Sequence, residues 1–159
     1  MQPPIQQPGP PILIGGAGPR TMSLTAFAAD AINFGSTWDA ETPEKVAAKL
    51  AVLHAACAEI GRPPETLLPT FLGLLALAET EDALERKMGE IMRPEDRERL
   101  TASGWLVTGT PEQVAAYYRA RADVGMRMFI ASLAETDDHE SIRLLASAVA
   151  PLVNADQRA

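Results

Sequence analysis

Apolar and polar positions along this chain switch repeatedly between a strand period and a helix period. Ile12, Leu13 and Ile14 are three consecutive β-formers with no polar interruption, the pattern of a strand covered on both faces. From Thr21 to Ala29 the spacing becomes helical, with Leu24, Phe27 and Ala28 placed for one buried face and Pro19 where a helix tolerates a missing N–H. Ala31 to Phe34 reads as a second strand, closed by Gly35-Ser36-Thr37. The clearest helix opens at Thr42-Pro43-Glu44: Thr42 caps, Pro43 fits the first helical position, and Glu44 complements the positive end of the dipole. Val46, Leu50, Leu53, Cys57 and Ile60 follow at steps of four, three, four and three, one apolar stripe that Gly61 and Pro63-Pro64 end.

Leu67 to Ala78 is almost wholly apolar, and twelve residues also suit a buried helix. Pro69, Thr70 and Phe71 favour a third strand; the helical reading would make this a mostly helical interaction domain. Glu79 to Met92 predicts a charged helix with Leu84, Met88, Ile91 and Met92 inward. Pro94 to Leu100 predicts a more polar helical turn, with Trp105-Leu106-Val107 packing over the bend at Ser103-Gly104. Thr110 and Gln113 have capping-box spacing at the head of a helix that turns Val114, Tyr117, Tyr118 and Ala122 inward. Met126 to Ala131 is the fourth strand. His139 to Val153 is the last helix, with Ile142, Leu145, Val149 and Leu152 inward. Alternation of this kind implies right-handed βαβ units and a parallel sheet. Residues 1–11 form a linker-like start with five prolines and three glutamines, the composition expected of a chain cut at an internal linker; 12–153 form one domain, and 154–159 a tail.

Composition narrows the function more than the fold. A formal charge of −7 with few, scattered basic residues argues against a nucleic-acid partner or an anionic membrane surface. One cysteine, Cys57, permits no internal disulfide and makes a cysteine zinc site a poor reading. No uninterrupted apolar stretch reaches the roughly 18–20 residues of a membrane span, and no signal-peptide pattern opens the chain, so a cytoplasmic protein is expected.

The densest candidate chemistry is Gly15-Gly16-Ala17-Gly18, between the first strand and the first helix. Glycines there leave backbone N–H groups open to an anion such as phosphate; the same residues also serve a tight βα turn for steric reasons alone. The spacing is not G-x-G-x-x-G, and the chain holds neither a P-loop signature nor a nucleophile triad. His54 borders the apolar stripe and reads as a packed or surface residue. Asp137-Asp138-His139-Glu140 reads as a solvated helix cap rather than a metal site, because adjacent residues on one turn splay apart. Cys57, the two tyrosines and Met88, Met92, Met126 and Met128 read as core, and Glu79 to Arg99 as a solvated surface helix pair.

Three segments in order resemble the luciferase-like monooxygenases, which use flavin mononucleotide (FMN) or the deazaflavin coenzyme F-420. They are Gly9-Pro10-Pro11-Ile12-Leu13-Ile14-Gly15-Gly16-Ala17-Gly18-Pro19-Arg20-Thr21 with Ala28 to Asn33, then Val107-Thr108-Gly109-Thr110-Pro111-Glu112-Gln113-Val114, then Ala122 to Ile130. The resemblance implies a (β/α)8 TIM-barrel type fold, of which this chain matches only the last four βα units: a half-barrel with parallel strands. It also implies that the cofactor's phosphate end meets Gly15, Gly16, Ala17 and Gly18, then Asn33, Phe34, Gly35 and Ser36, with Ser36 a hydroxyl donor and Arg20 able to add a charge-assisted bond. The family's acid/base histidine or carboxylate resembles nothing in this chain, so no residue is assigned a catalytic role. Two readings follow. One is the C-terminal half of a flavin- or deazaflavin-dependent oxidoreductase, inactive without the other half. The other is a non-catalytic, self-associating half-barrel or weak phosphorylated-ligand module. Both expect a homodimer or a complementary half-barrel chain, because four parallel strands leave a bare face and two open edges.

Overall fold

The computed structural model describes residues 5–7, 9–35 and 42–154. Its elements are β1 (Leu13–Gly15), α1 (Pro19–Ala28), β2 (Ala31–Phe34), α2 (Pro43–Glu59), a 3-10 turn (Pro64–Thr66) and β3 (Leu68–Leu77). Then come α3 (Glu81–Ile91), α4 (Pro94–Ala102), β4 (Leu106–Gly109), α5 (Pro111–Ala122), β5 (Met128–Leu133), α6 (His139–Leu144) and α7 (Ala150–Asn154), the last two joined by a π-helical turn over Leu145–Val149. The long apolar run is a strand, which removes the mostly helical alternative. All strand pairs are parallel: β1 with β2, β2 with β3, β3 with β4, and β3 with β5.

β4 is a strand where the sequence predicts only packing over a turn, and it does not lengthen the row. Leu68 donates its N–H to Asp30 O beside β2, Leu74 to Trp105 O, and Ala78 to Gly109 O. Even-numbered residues of β3 thus bond one edge, first to β2 and then to β4. Odd-numbered ones bond the other, where Pro69 O and Leu75 O accept from Arg127 and Ala134 of the β5 segment. β4 takes over the edge that β2 leaves after Phe71, so the row across the sheet is β1-β2-β3-β5.

Register assigns the faces. Ile14, Ile32, Phe34, Phe71, Leu75, Val107, Phe129 and Ala131 share one face and pack with α1, α2, α5 and the terminal helices into the main core. Ile32 and Leu75 are completely buried there. The opposite face carries Leu13, Ala31, Leu68, Leu72, Met128 and Ile130. Among the described residues its cover lies at the upper end, where α3 lays Leu84 and Met88 on Ala76, Ala78 and Leu106. Below that, Leu13 remains 49% exposed, Met128 45% and Ile130 37%.

The structure corrects several expectations in one direction. β1 is an edge strand, with Ile12 51% exposed rather than covered on both faces. α1 buries Met22, Thr25 and Ala26, while Leu24 is 53% and Phe27 79% exposed, and Ala28 is exposed too. Ile60, Ile142, Leu152 and Met128 also face outward. A stripe of apolar residues reports that a face is apolar; whether an element stands against it is decided elsewhere in the chain.

Candidate functional site

The carboxyl ends of parallel strands are where backbone amides and helix N-termini converge. Here β1 ends in a glycine loop that feeds α1. Gly16 has a φ of +120°, a conformation that strains any L-residue with a side chain. Its N–H donates to Asn33 O at 3.2 Å, so the sheet uses that amide and ties the loop to β2. Gly18 is the N-cap of α1 and gives no side-chain cap; Pro19 follows at the first position, and the first turn holds no acidic residue. Met22 closes the first intrahelical bond to Gly18 O, which leaves the N–H groups of Arg20 and Thr21 pointing out of the helix. Neither the cap nor the first turn of α1 carries an acidic side chain to offset the positive potential at this end.

Thr21 belongs to this site although only the loop before it suggested one. A Cβ on Gly16 would sit 3.5 Å from Thr21 Cγ2, and one on Gly18 would sit 3.9 Å from Thr21 Oγ1, so side chains at either glycine would fill the hollow beside that hydroxyl. Spacing could have found it, since Thr21 is the third helical residue and its side chain leans back over the loop. Gly15, Gly16, Gly18 and Arg20 are exposed, and Ala17 packs against the main core.

The end of β2 lies next to this loop, because Gly15 pairs with Asn33. Asn33 is half-buried on the open face, its Oδ1 accepting the Thr70 hydroxyl at 2.8 Å. Phe34 sends its side chain into the main core at 2% exposure, so only its backbone reaches the site. Gly35, φ +138°, is glycine for a packing reason: a Cβ would collide with Leu72 O and crowd the Trp105 ring. Ser36 lies outside the described residues.

A second polar cluster, absent from the sequence reading, sits at the ends of β3 and β5. The Lys87 ammonium on α3 donates to Leu77 O at 2.6 Å, Asp138 Oδ1 at 2.9 Å and Glu140 Oε2 at 2.8 Å, which accounts for its three protons. Asp138 caps α6 by accepting the Ser141 N–H at 3.0 Å, and it accepts the Ser141 hydroxyl proton at 2.6 Å. Ser141 Oγ in turn accepts the Leu77 N–H at 2.8 Å. The cap expected at Asp138 is present but not solvated, since Asp138 is 7% exposed and Ser141 fully buried. Nor is Lys87 part of a purely solvated helix face. Burial alone would raise the Asp138 carboxyl, but the hydrogen bonds from Ser141 and Lys87 outweigh it and hold the group below the usual aspartate range. Burial alone would lower the Lys87 ammonium; bonds to Glu140 and Asp138 raise it instead. Ser141 is too enclosed for chemistry, so the cluster is a clasp: it ties α3 and α6 to the end of β3.

The remaining candidates are structural. Cys57 is fully buried, and that burial pushes its thiol up, away from reactivity. His54 and His139 are exposed. Arg121, 5% exposed, stacks 3.4 Å from the centroid of the Tyr117 ring and 5.1 Å from that of Phe71, and donates to Tyr117 O. Among the described residues, no group of three or more His, Cys, Asp or Glu side chains is placed to hold a metal, and no helix is long and apolar enough to cross a membrane.

Solved structures share this architecture over nearly the whole chain. DmoA from Hyphomicrobium sulfonivorans superposes with a TM-score of 0.75 at 17% identity, covering 98% of this chain and 44% of that one. Riboflavin lyase (RcaE), solved with modified FMN and riboflavin, gives 0.71 at 15% identity, covering 94% and 44%. The coenzyme F-420-dependent tetrahydromethanopterin reductase from Methanopyrus kandleri gives 0.65 at 16% identity, covering 89% and 50%. This chain thus spans about half the length of each, with the parallel sheet of alternating βα units that makes up half of their TIM-barrel type fold. The sequence model of one family, the luciferase-like monooxygenases, matches residues 1–128, and to that family the chain belongs.

Proposed function

We propose that this chain supplies the cofactor-phosphate half of a flavin- or deazaflavin-dependent oxidoreductase. The observation that carries the reading is the bare N-terminus of α1: no side-chain cap, no acidic residue in the first turn, and glycines that keep the approach open. Backbone N–H groups of Arg20 and Thr21 offer charge-assisted bonds to a phosphate, the Thr21 hydroxyl offers a further donor, and Arg20 adds a mobile cation at the rim. Gly15, Gly16, Ala17 and Gly18 shape the hollow, with Asn33 and the Phe34 and Gly35 backbone forming its β2 side.

FMN and coenzyme F-420 are the two candidate occupants, since family members use one or the other; each brings the two-electron redox chemistry when bound. This chain's own contribution is to bind and orient the phosphate end. The ring pocket and the proton-transfer residues belong to the other half of the barrel, so turnover needs that half.

Titration with FMN and with coenzyme F-420, followed by fluorescence and calorimetry, tests the reading. Saturable micromolar binding to one of them is expected, and Gly16→Val is expected to weaken it at least tenfold, because valine strains the φ of +120° and fills the hollow. Absence of saturable binding to both overturns it and leaves a non-catalytic half-barrel.

A further inference from the structure

Beside the glycine loop, one row of the open face holds an amide with donors to spare. Register places Gly15, Asn33, Thr70 and Met128 next to one another in that row, on β1, β2, β3 and β5. A Cβ on Gly15 would meet nothing within 4 Å, so the approach from the loop to Asn33 is clear. On the helix side of the sheet the way is closed, because Ala17 and Phe34 pack in the main core. A ligand whose phosphate sits at the head of α1 therefore extends over the open face. Asn33 is the neighbouring polar side chain in its path.

Asn33 is held at both ends. Its backbone oxygen accepts the Gly16 N–H at 3.2 Å, which fixes it to the loop. Its side chain is held by Thr70, fully buried on the adjacent strand, whose hydroxyl lies 2.8 Å from Asn33 Oδ1 and 3.0 Å from Ile32 O. With Oδ1 engaged, the two Nδ2 protons have no partner among the described residues, and the half-buried side chain leaves them open to a ligand. Thr70 does not need Asn33 for its own sake, since Ile32 O is also within reach. The pair serves instead to set the amide. The hydroxyl has one proton for two acceptors. When that proton goes to Ile32 O, the amide turns over, donates to Thr70 Oγ1 and presents its oxygen. A ligand hydroxyl, at once donor and acceptor, suits both settings, whereas a phosphate oxygen suits only the first.

We infer that Asn33, set by Thr70, reads hydroxyl groups on the chain that joins a ligand's phosphate to its ring. The half-barrel then prefers phosphates of sugar alcohols to plain alkyl phosphates. This role rests on the phosphate seat proposed above, and it moves the Asn33 side chain from the phosphate to the polyol next to it. FMN and coenzyme F-420 both carry a polyhydroxylated chain at that place. Thr70, 0% exposed, acts only through Asn33 and is a positioning residue.

Ribitol 5-phosphate and n-pentyl phosphate test this, since they share chain length and phosphate and differ in their hydroxyls. Neither has a ring, so neither needs the other half of the barrel. Affinities for the full chain, from calorimetry or NMR titration, are compared as a ratio. Because the alkyl chain gains its own apolar contacts, the change in that ratio on substitution is the readout. Asn33→Ala should shrink the preference for ribitol 5-phosphate about fivefold, the worth of one hydrogen bond, and leave pentyl phosphate within about twofold. Thr70→Val, which leaves the amide unset, should shrink it about two- to threefold, and Thr70→Ser, which keeps the hydroxyl, should restore it. Far-UV spectra check that each variant folds; in Asn33→Ala the Thr70 hydroxyl still has Ile32 O as acceptor, so no buried donor is stranded. An unchanged ratio in folded Asn33→Ala overturns the inference but spares the phosphate seat. Equal weakening of both probes overturns it too, because Asn33 then shapes the loop or meets the phosphate. If the wild type binds neither probe, the phosphate seat itself fails, and the polyol contact falls with it.

Discussion

The two faces of this sheet are built from the same strands and nearly the same residue types, yet their fates differ. On the helix side, Ile32, Phe71 and Leu75 fall to 1% exposure or less, and the aromatic contacts of Phe71, Tyr117, Tyr118 and Phe129 extend that core. On the other side Leu13, Met128 and Ile130 keep 37–49% of their surface in water, and among the described residues α3 and α4 lend cover at one end. Hydrophobicity makes a residue suitable for burial; a neighbouring element must still arrive. In this chain the crossover helices reach one face, because right-handed βαβ connections deliver them there.

Breaking the closed face should have the largest effect. Phe71→Ala removes a ring packed against Tyr117 and Arg121, and a loss of about 3–5 kcal/mol is expected, measured as a fall in the urea midpoint with an unchanged slope. A cost under about 1 kcal/mol would mean that the helix side is not the cohesive core. The clasp comes next, since it holds α3 over the upper open face. Lys87→Met leaves Asp138 buried without its cation and should cost about 2 kcal/mol, less than for a fully buried pair because the Lys87 side chain remains 17% exposed.

The same clasp sets a pH dependence. The folded-state acidity of Asp138 lies below its unfolded value, so its contribution is complete above the unfolded value near pH 3.9 and is lost as pH falls through the lower folded value. For Lys87 the folded value lies above the unfolded one. Its contribution is complete below about pH 10.4 and is lost as pH rises through the higher folded value. Stability from the clasp should therefore be level across the neutral range, with an acid arm that Asp138→Asn removes in pH-dependent urea melts. The smallest effect sharpens the contrast at the flank. Phe27→Ser, at 79% exposure, should change the stability of one chain by less than about 0.5 kcal/mol.

Much of the fold was legible because the signals were local. Thr42-Pro43-Glu44 placed the head of α2, Gln113 accepts the Thr110 N–H as the capping spacing foretold, and the glycine loop fell between strand and helix as read. β4 was missed because Leu106-Val107-Thr108-Gly109 is too short to show a period. Its strand identity comes from β3, which outlasts β2 and offers the vacated edge. The site was half legible. Glycines announced the loop, whereas Thr21 entered through three-dimensional proximity, and the clasp joins Leu77, Lys87, Asp138 and Ser141 across 64 positions of chain.

The sequence by itself determined most of the strands and helices, β4 excepted, that the strands run parallel, and that an uncapped glycine loop meets the first helix. Capping residues, turn glycines and periodicity act within a few residues, so they can be read in line. Only the tertiary structure decided which apolar stripes find a partner. It buried Met22 and exposed Phe27 on one helix, enclosed Asp138 in a charged clasp, and set β1 and β5 at opposite ends of one row. Burial depends on what stands opposite a residue, and residues far away in the chain, or on another chain, supply that.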